Sequence, residues 1–255
     1  LAHRRGILVV WHLRSALPDG DDGLRARLVR STIRRLASAT IAINEDVAAS
    51  FQMSCEIVPN PVDLERFCPG DREDAKRAVG AHPERALISY FGFLYPSKGF
   101  REFIQAAAAL RARGVDADFL MVGGAVRGES YFRTLVGRLL LAFHLARNYE
   151  REARHLAASL GLEGRLRFVP FTLDTPPYYR ASDLVIAQSR GPEIGRPVLE
   201  AAACGVPVVT SGSLTGGGIV VAEKTAVVVA NNALEPLTAA VSHLLADPGR
   251  AAELG

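Results

Sequence analysis

The sequence predicts an α/β fold in which a mostly parallel, doubly wound sheet is covered by amphipathic helices. Three observations carry that expectation. Short apolar runs alternate with helical patterns, the helices keep one apolar face, and the chain is long and apolar enough to bury a core, with 255 residues of which 49% are hydrophobic and 22% charged.

Residues 7–11 form an apolar run rich in branched side chains, which reads as a strand, and residues 17–23, with Pro, Gly and three Asp, read as a loop. Leu24, Leu28, Ile33 and Leu36 then suggest a helical stripe with arginines on the other face, and residues 41–43 another strand. Residues 1–58 therefore read as β-α-β. Pro59-Asn60-Pro61 breaks regular structure, because each proline lacks a donor and restricts its predecessor, and a domain boundary is expected there, with residues 1–62 and 63–255 on either side. Further apolar runs follow at 87–91, 119–122, 166–169, 184–187, 206–210 and 226–229, enough for one Rossmann-like sheet. Between them Phe100, Phe103, Ile104, Ala107 and Leu110 line one face of a helix that Gly114 ends. Leu237, Val241, Leu244 and Leu245 do the same before Pro248. In such a sheet ligands lie beyond the carboxyl ends of the strands, so the loops after the strands are the place to look.

Composition excludes several classes. Lys plus Arg number 30 against 27 Asp plus Glu, a net charge of +3 that is too small and dispersed for nucleic-acid binding. Cys55, Cys68 and Cys204 lie far apart without a CxxC pair, so neither a disulfide framework nor a zinc site is expected, and a reducing compartment is the default. The longest uncharged stretch, residues 201–222, carries five glycines and a proline and reads as strand and loops rather than a membrane span. Nothing at the N-terminus resembles a signal peptide, and Leu1 is not a start residue, so the chain is expected to begin inside a longer protein.

Three loops could carry chemistry. Residues 91–99, Phe-Gly-Phe-Leu-Tyr-Pro-Ser-Lys-Gly, leave a strand and enter a helix with Lys98 at its start. A lysine there opposes the helix dipole unless an anion lies between them, so Lys98 reads either as a phosphate ligand or as a solvated first-turn residue. Residues 190–200 hold Glu193 and Glu200. A carboxylate can accept both hydroxyls of a ribose, and Gly195 would let backbone amides approach a sugar or phosphate. The alternative is a first-turn Glu200 favoured by the dipole and a loop charge at Glu193. Thr215-Gly216-Gly217-Gly218 could crowd amides around an anion, or be a flexible loop without a P-loop lysine.

In this order the pieces resemble the donor-binding half of the family-4, group 1 type glycosyltransferases of GT-B fold, two Rossmann-like domains facing a cleft. The marks are Val58-Pro59-Asn60-Pro61-Val62-Asp63-Leu64-Glu65-Arg66-Phe67 at the linker, the 91–99 loop, Tyr179-Arg180-Ala181-Ser182-Asp183-Leu184, and residues 192–209, similar to the family's two-glutamate signature. The resemblance implies a C-terminal nucleotide-sugar-binding domain preceded by the last part of an N-terminal, acceptor-side domain. It implies that Lys98 contacts the donor diphosphate, Glu200 the ribose and Glu193 the donor sugar, with backbone groups at Gly92, Gly195, Arg196, Val198, Thr215 and Gly216 close to the donor. His12 is similar to the histidine such enzymes place beside the donor sugar, a lone histidine there otherwise being structural.

Four departures stand out. Glu193 and Glu200 are seven residues apart where the family usually has eight, Phe93 replaces the usual basic residue, residues 219–221 lack the usual glutamate, and the opening strands of the first domain are absent. The implied reaction is retaining, metal-independent hexosyl transfer from a nucleotide-sugar, with no other cofactor, to a sugar, lipid-linked or small-molecule acceptor hydroxyl. The alternatives are a nucleotide-sugar-binding domain with impaired catalysis and, below it, a sugar-nucleotide epimerase. Residues 127–149, with Leu135, Leu139, Leu140, Leu141, Phe143 and Leu145 among Arg133, Arg138 and Arg147, could lie on a membrane or pack on their own domain. A cytoplasmic location, peripheral on the inner face of the membrane if that stretch binds it, is the corresponding expectation.

Overall fold

A computed structural model describes residues 5–17, 23–125, 129–143, 145–190, 195–211, 220–231 and 233–255. Among the described residues the chain divides into two compact units, the residues up to Pro61 together with Val220 and Val221 in one and the others from Val62 onward in the second.

The first unit runs β1 (Val10–Leu13), α1 (Leu24–Leu36), β2 (Ala39–Ala42), α2 (Glu45–Ser50) and β3 (Glu56–Ile57). The strands are parallel in the order β1-β2-β3. Leu13, Ile33, Ala42, Ile43, Val47 and Phe51 form the core. The expected β-α-β is present, and the structure adds α2 and β3, which are too short for periodicity to register. Asn44 caps α2 by accepting from the Val47 amide at 2.8 Å.

The apolar face expected for α1 is corrected. Ala26, Arg30 and Ile33 face the core, whereas Leu24 and Leu28 are 68% and 58% exposed. The cause is helical phase, because Ile33 lies nine residues and so two and a half turns beyond Leu24, on the opposite side. Arg30 is buried with its Nη2 donating to the Ser50 carbonyl at 3.1 Å.

The second unit contains α3 (Arg72–Ala78), β4 (Ala86–Phe91), α4 (Phe100–Ala112), β5 (Ala117–Val122), α5 (Glu129–Arg133), α6 (Leu135–Ala142) and α7 (Tyr149–Ser159). It continues with β6 (Leu166–Val169), α8 (Pro176–Ala181), β7 (Leu184–Ala187), α9 (Arg196–Ala203), β8 (Val208–Ser211), β9 (Val227–Val229), α10 (Leu234–Ala246) and α11 (Pro248–Leu254). The six strands are parallel in the order β6-β5-β4-β7-β8-β9.

Alternate residues of β4 serve the two faces. Ile88 and Tyr90 join Phe100, Phe103, Leu110, Ala153, Ala157, Leu237 and Val241 in the core beneath α4, α7 and α10. On the other side Phe91 stacks on Tyr179 of α8 with ring centroids 3.6 Å apart, and the Ser182 hydroxyl donates to that of Ser89 at 2.6 Å. A polar knot fixes the amino ends of β4 and β7. Asp183 Oδ2 accepts from the Leu87 amide at 2.8 Å and pairs with the buried Lys76 ammonium at 2.7 Å.

Chain order reverses between β4 and β7. From β4 the chain adds β5 and β6 on one side, then returns to place β7 beside β4 and continues through β8 and β9 on the other. The carboxyl ends of these two neighbours form the crevice where open parallel sheets bind ligands.

Candidate functional site at the switch point

The loops leaving β4 and β7 are tied together by backbone. The Arg190 amide donates to the Ser97 carbonyl at 3.0 Å. Gly99, at φ 73°, lies so close to Gln188 that a Cβ on it would stand 2.4 Å from the Gln188 Cβ and 3.0 Å from its carbonyl oxygen. Only glycine satisfies both the left-handed conformation and that approach. Behind them Gly92 and Gly123 meet with equal closeness, since a Cβ on Gly123 would fall 2.0 Å from the Gly92 oxygen. Gly92 is thus a packing residue, its amide donating to the Val122 carbonyl at 3.0 Å.

Lys98 ends a single 3-10 turn, Pro96–Lys98, and Gly99 is the N-cap of α4. The lysine therefore stands one residue before the cap rather than inside the first turn. It is half-buried, and among the described residues its ammonium has no carboxylate partner. Across the crevice α9 begins at Arg196 after the N-cap Gly195, with Pro197 in its first turn. Arg196 is exposed and likewise unpaired among the described residues. Neither helix has a side-chain cap. Two helix starts without side-chain caps, each accompanied by a cation that its dipole disfavours, are an arrangement that can accept an anion, at α9 through the Arg196 amide because Pro197 has no N–H.

Glu200 lies in the second turn of α9, which corrects the first-turn alternative and removes the dipole explanation for it. Its Oε2 accepts from the Tyr179 hydroxyl at 2.8 Å, and Oε1 has no hydrogen bond among the described residues. Tyr179 is fully buried between Phe91 and Phe67. Burial, and then the nearby Glu200 charge, push its phenol well above the ordinary range, so it remains a donor at any working pH. One carboxylate oxygen is thus held from below and the other left to accept. The role of Tyr179 escapes sequence reasoning because the partners are 21 residues apart in different helices. Val198 is buried, with its amide turned back to the Gly195 carbonyl at 3.1 Å.

Phe93, at the position of the missing basic residue, stacks on Phe171 at 5.8 Å. Arg190, in the loop after β7, is instead paired with Glu102 at 2.8 Å. His12 lies within β1, opposite Ile41, and is exposed, which corrects its expected place after the strand. Glu193, Thr215 and Gly216 lie outside the described residues. A cavity of about 570 Å³ lined by Arg27, Arg30, Ser31, Arg34, Arg35 and Gln52 belongs to the first unit and includes none of the expected site residues. Among the described residues no cluster of His, Cys, Asp or Glu could hold a metal ion, and no helix is long and apolar enough to cross a membrane.

A family model described as "Glycosyl transferases group 1" matches residues 71–255. The lipopolysaccharide core biosynthesis mannosyltransferase LpsB of Rhizobium meliloti is 30% identical over 86% of this chain and 58% of its own length. A D-inositol 3-phosphate glycosyltransferase of Salinispora tropica is 35% identical over 78% of this chain and 40% of its own. The chain thus spans about half the length of these curated relatives. Among solved structures, Anabaena HepE in complex with UDP-glucose superposes with a TM-score of 0.81 at 23% identity, over 99% of this chain and 66% of that one.

Proposed function

The chain belongs to the group 1 glycosyl transferases and has the α/β, Rossmann-like architecture of GT-B enzymes. From that membership we propose that it carries the donor half of a retaining, metal-independent transferase of the family-4 kind, moving a hexosyl group from a nucleotide-sugar to an acceptor hydroxyl. The observation that carries the reading is the pair of uncapped helix starts at the β4/β7 crevice, each with a cation that is unpaired among the described residues, together with a carboxylate whose second oxygen has no hydrogen bond among them.

Departure of a nucleoside diphosphate builds negative charge on its oxygens. Lys98, the first amides of α4, and the side chain and amide of Arg196 stabilise that charge without a divalent cation. Glu200, oriented by Tyr179, accepts the ribose hydroxyls through Oε1. In this reading, by resemblance to the family, Glu193 and His12 serve the donor sugar and the amides of residues 215–218 the diphosphate. Residues 1–62 are the end of an acceptor-side domain and 63–255 the donor domain.

A uridine nucleotide is the first donor class to test, since HepE was solved with UDP and with UDP-glucose. The acceptor is a sugar, a lipid-linked saccharide or a small molecule, as the mannosyltransferase and inositol-phosphate relatives suggest. The test is turnover of UDP- and GDP-hexoses by the full-length parent, with the anomer of the product read by NMR and the reaction repeated in EDTA. Retention with undiminished rate supports the proposal, and inversion or a strict metal requirement overturns it.

A further inference from the structure

The segment after β5 carries the most concentrated exposed apolar surface of the second unit. It is well formed. Thr134 caps α6, its Oγ1 accepting from the Gly137 amide at 3.1 Å and donating to the Tyr131 carbonyl at 2.7 Å. Phe132 is buried, and Gly137 packs so tightly that a Cβ there would lie 2.2 Å from the Tyr131 oxygen.

The helix therefore meets its neighbour through its glycine, with Leu140 and Leu141 half-buried and its other large side chains turned to solvent. Leu135, Leu139 and Phe143, at spacings of four along one face, are 74%, 48% and 69% exposed, and Val136 and Leu145 are exposed beside them. An amphipathic helix of a soluble domain does the reverse. Arg133, Arg138 and Arg147 are exposed around this face, and no Asp or Glu occurs between residues 130 and 149.

We infer that α6 is an interfacial helix that inserts Leu135, Leu139 and Phe143 into an anionic lipid surface while its arginines contact the phosphates. The apolar face supplies the hydrophobic term, and the three exposed arginines of this acid-free run match the negative potential of such a surface. A second copy of the chain fits less well, because symmetric pairing through α6 would bring the same arginines face to face. The segment leaves β5 at its carboxyl end, the rim of the sheet from which the loops holding Lys98 and Arg196 also leave. Lipid binding of this kind stands whether or not the catalytic reading holds.

The experiment is vesicle flotation of the 255-residue chain with phosphatidylcholine vesicles and with equimolar phosphatidylcholine and phosphatidylglycerol. The double variant Leu135→Asp/Leu139→Asp and, separately, Arg138→Glu are run beside it, with circular dichroism confirming folding. The inference expects partition into the anionic vesicles only, reduced roughly tenfold or more in the leucine variant and clearly, in a salt-dependent way, in the arginine variant. Absence of vesicle binding by the folded chain overturns it. So does binding that both variants retain, or a concentration-dependent dimer that the leucine variant abolishes while vesicles are ignored.

Discussion

Tyr179→Phe removes one oxygen and leaves the ring stacked on Phe91, so it isolates the hydrogen bond that holds Glu200. The bond is 2.8 Å long, to a half-buried carboxylate from a fully buried donor. Bonds to charged groups contribute about 1.5–3 kcal/mol, and water can reach Glu200 in part, so the lower end applies, about 1.5 kcal/mol. For a chain of this size that is a fall in Tm of roughly 3–6 °C. The charge on Glu200 survives but its orientation does not, and donor affinity should fall about three- to tenfold, or ~0.7–1.4 kcal/mol. Calorimetric titration with the nucleotide-sugar, in the native chain, Tyr179→Phe, Glu200→Ala and the double variant, gives the coupling directly. Tyr179 acts through Glu200, so its removal should cost nothing further in the Glu200→Ala background. Equal losses in both backgrounds, or a lowered Tm with unchanged donor affinity, would refute that chain of reasoning.

Gly99→Ala should destabilise by about 2–4 kcal/mol and abolish donor binding, since left-handed strain adds to the collision with Gln188. Gly114→Ala, at φ 80° with nothing within 4 Å, isolates the strain alone at about 1–2 kcal/mol. Both are read by chemical denaturation. Alkaline stability should fall between about pH 9 and 11. Burial pushes the Cys204 thiol up to about 11, so in that window the folded chain keeps a proton that the unfolded chain has released. The loss is roughly 2–3 kcal/mol, absent below pH 9 where both states are protonated, and Cys204→Ser should flatten it in urea titrations across that range. Donor binding should be unchanged by EDTA, because no step assigned to these residues calls on a metal.

The fold was legible where local pattern and tertiary role coincide. The apolar runs over β4, β5 and β7 mark interior strands that are buried on both faces, and the rule that ligands gather beyond the strand ends points from the strand pattern alone to the loops at Lys98 and Gly195. What stayed hidden depends on phase or long-range contact. The leucines of α1 resemble a core stripe, but Ala26 and Ile33 with the buried Arg30 decide the face, and a buried arginine has no apolar signature. The Gly99–Gln188 approach and the Tyr179–Glu200 bond join segments 89 and 21 residues apart, beyond any spacing rule. Glu200 reads from sequence as a first-turn residue, and only the start of α9 at Arg196 places it in the second turn.

Calorimetric titration of UDP and UDP-hexoses into the chain and into Lys98→Ala and Glu200→Ala tests directly whether the donor binds at the β4/β7 crevice. If the β4/β7 crevice is the donor site, the native chain binds at least one of these ligands and each substitution weakens it by roughly tenfold or more, Lys98→Ala through the diphosphate and Glu200→Ala through the ribose. Affinity for the bound nucleotide that survives both substitutions in folded protein would contradict the assignment and move the donor site elsewhere on the chain.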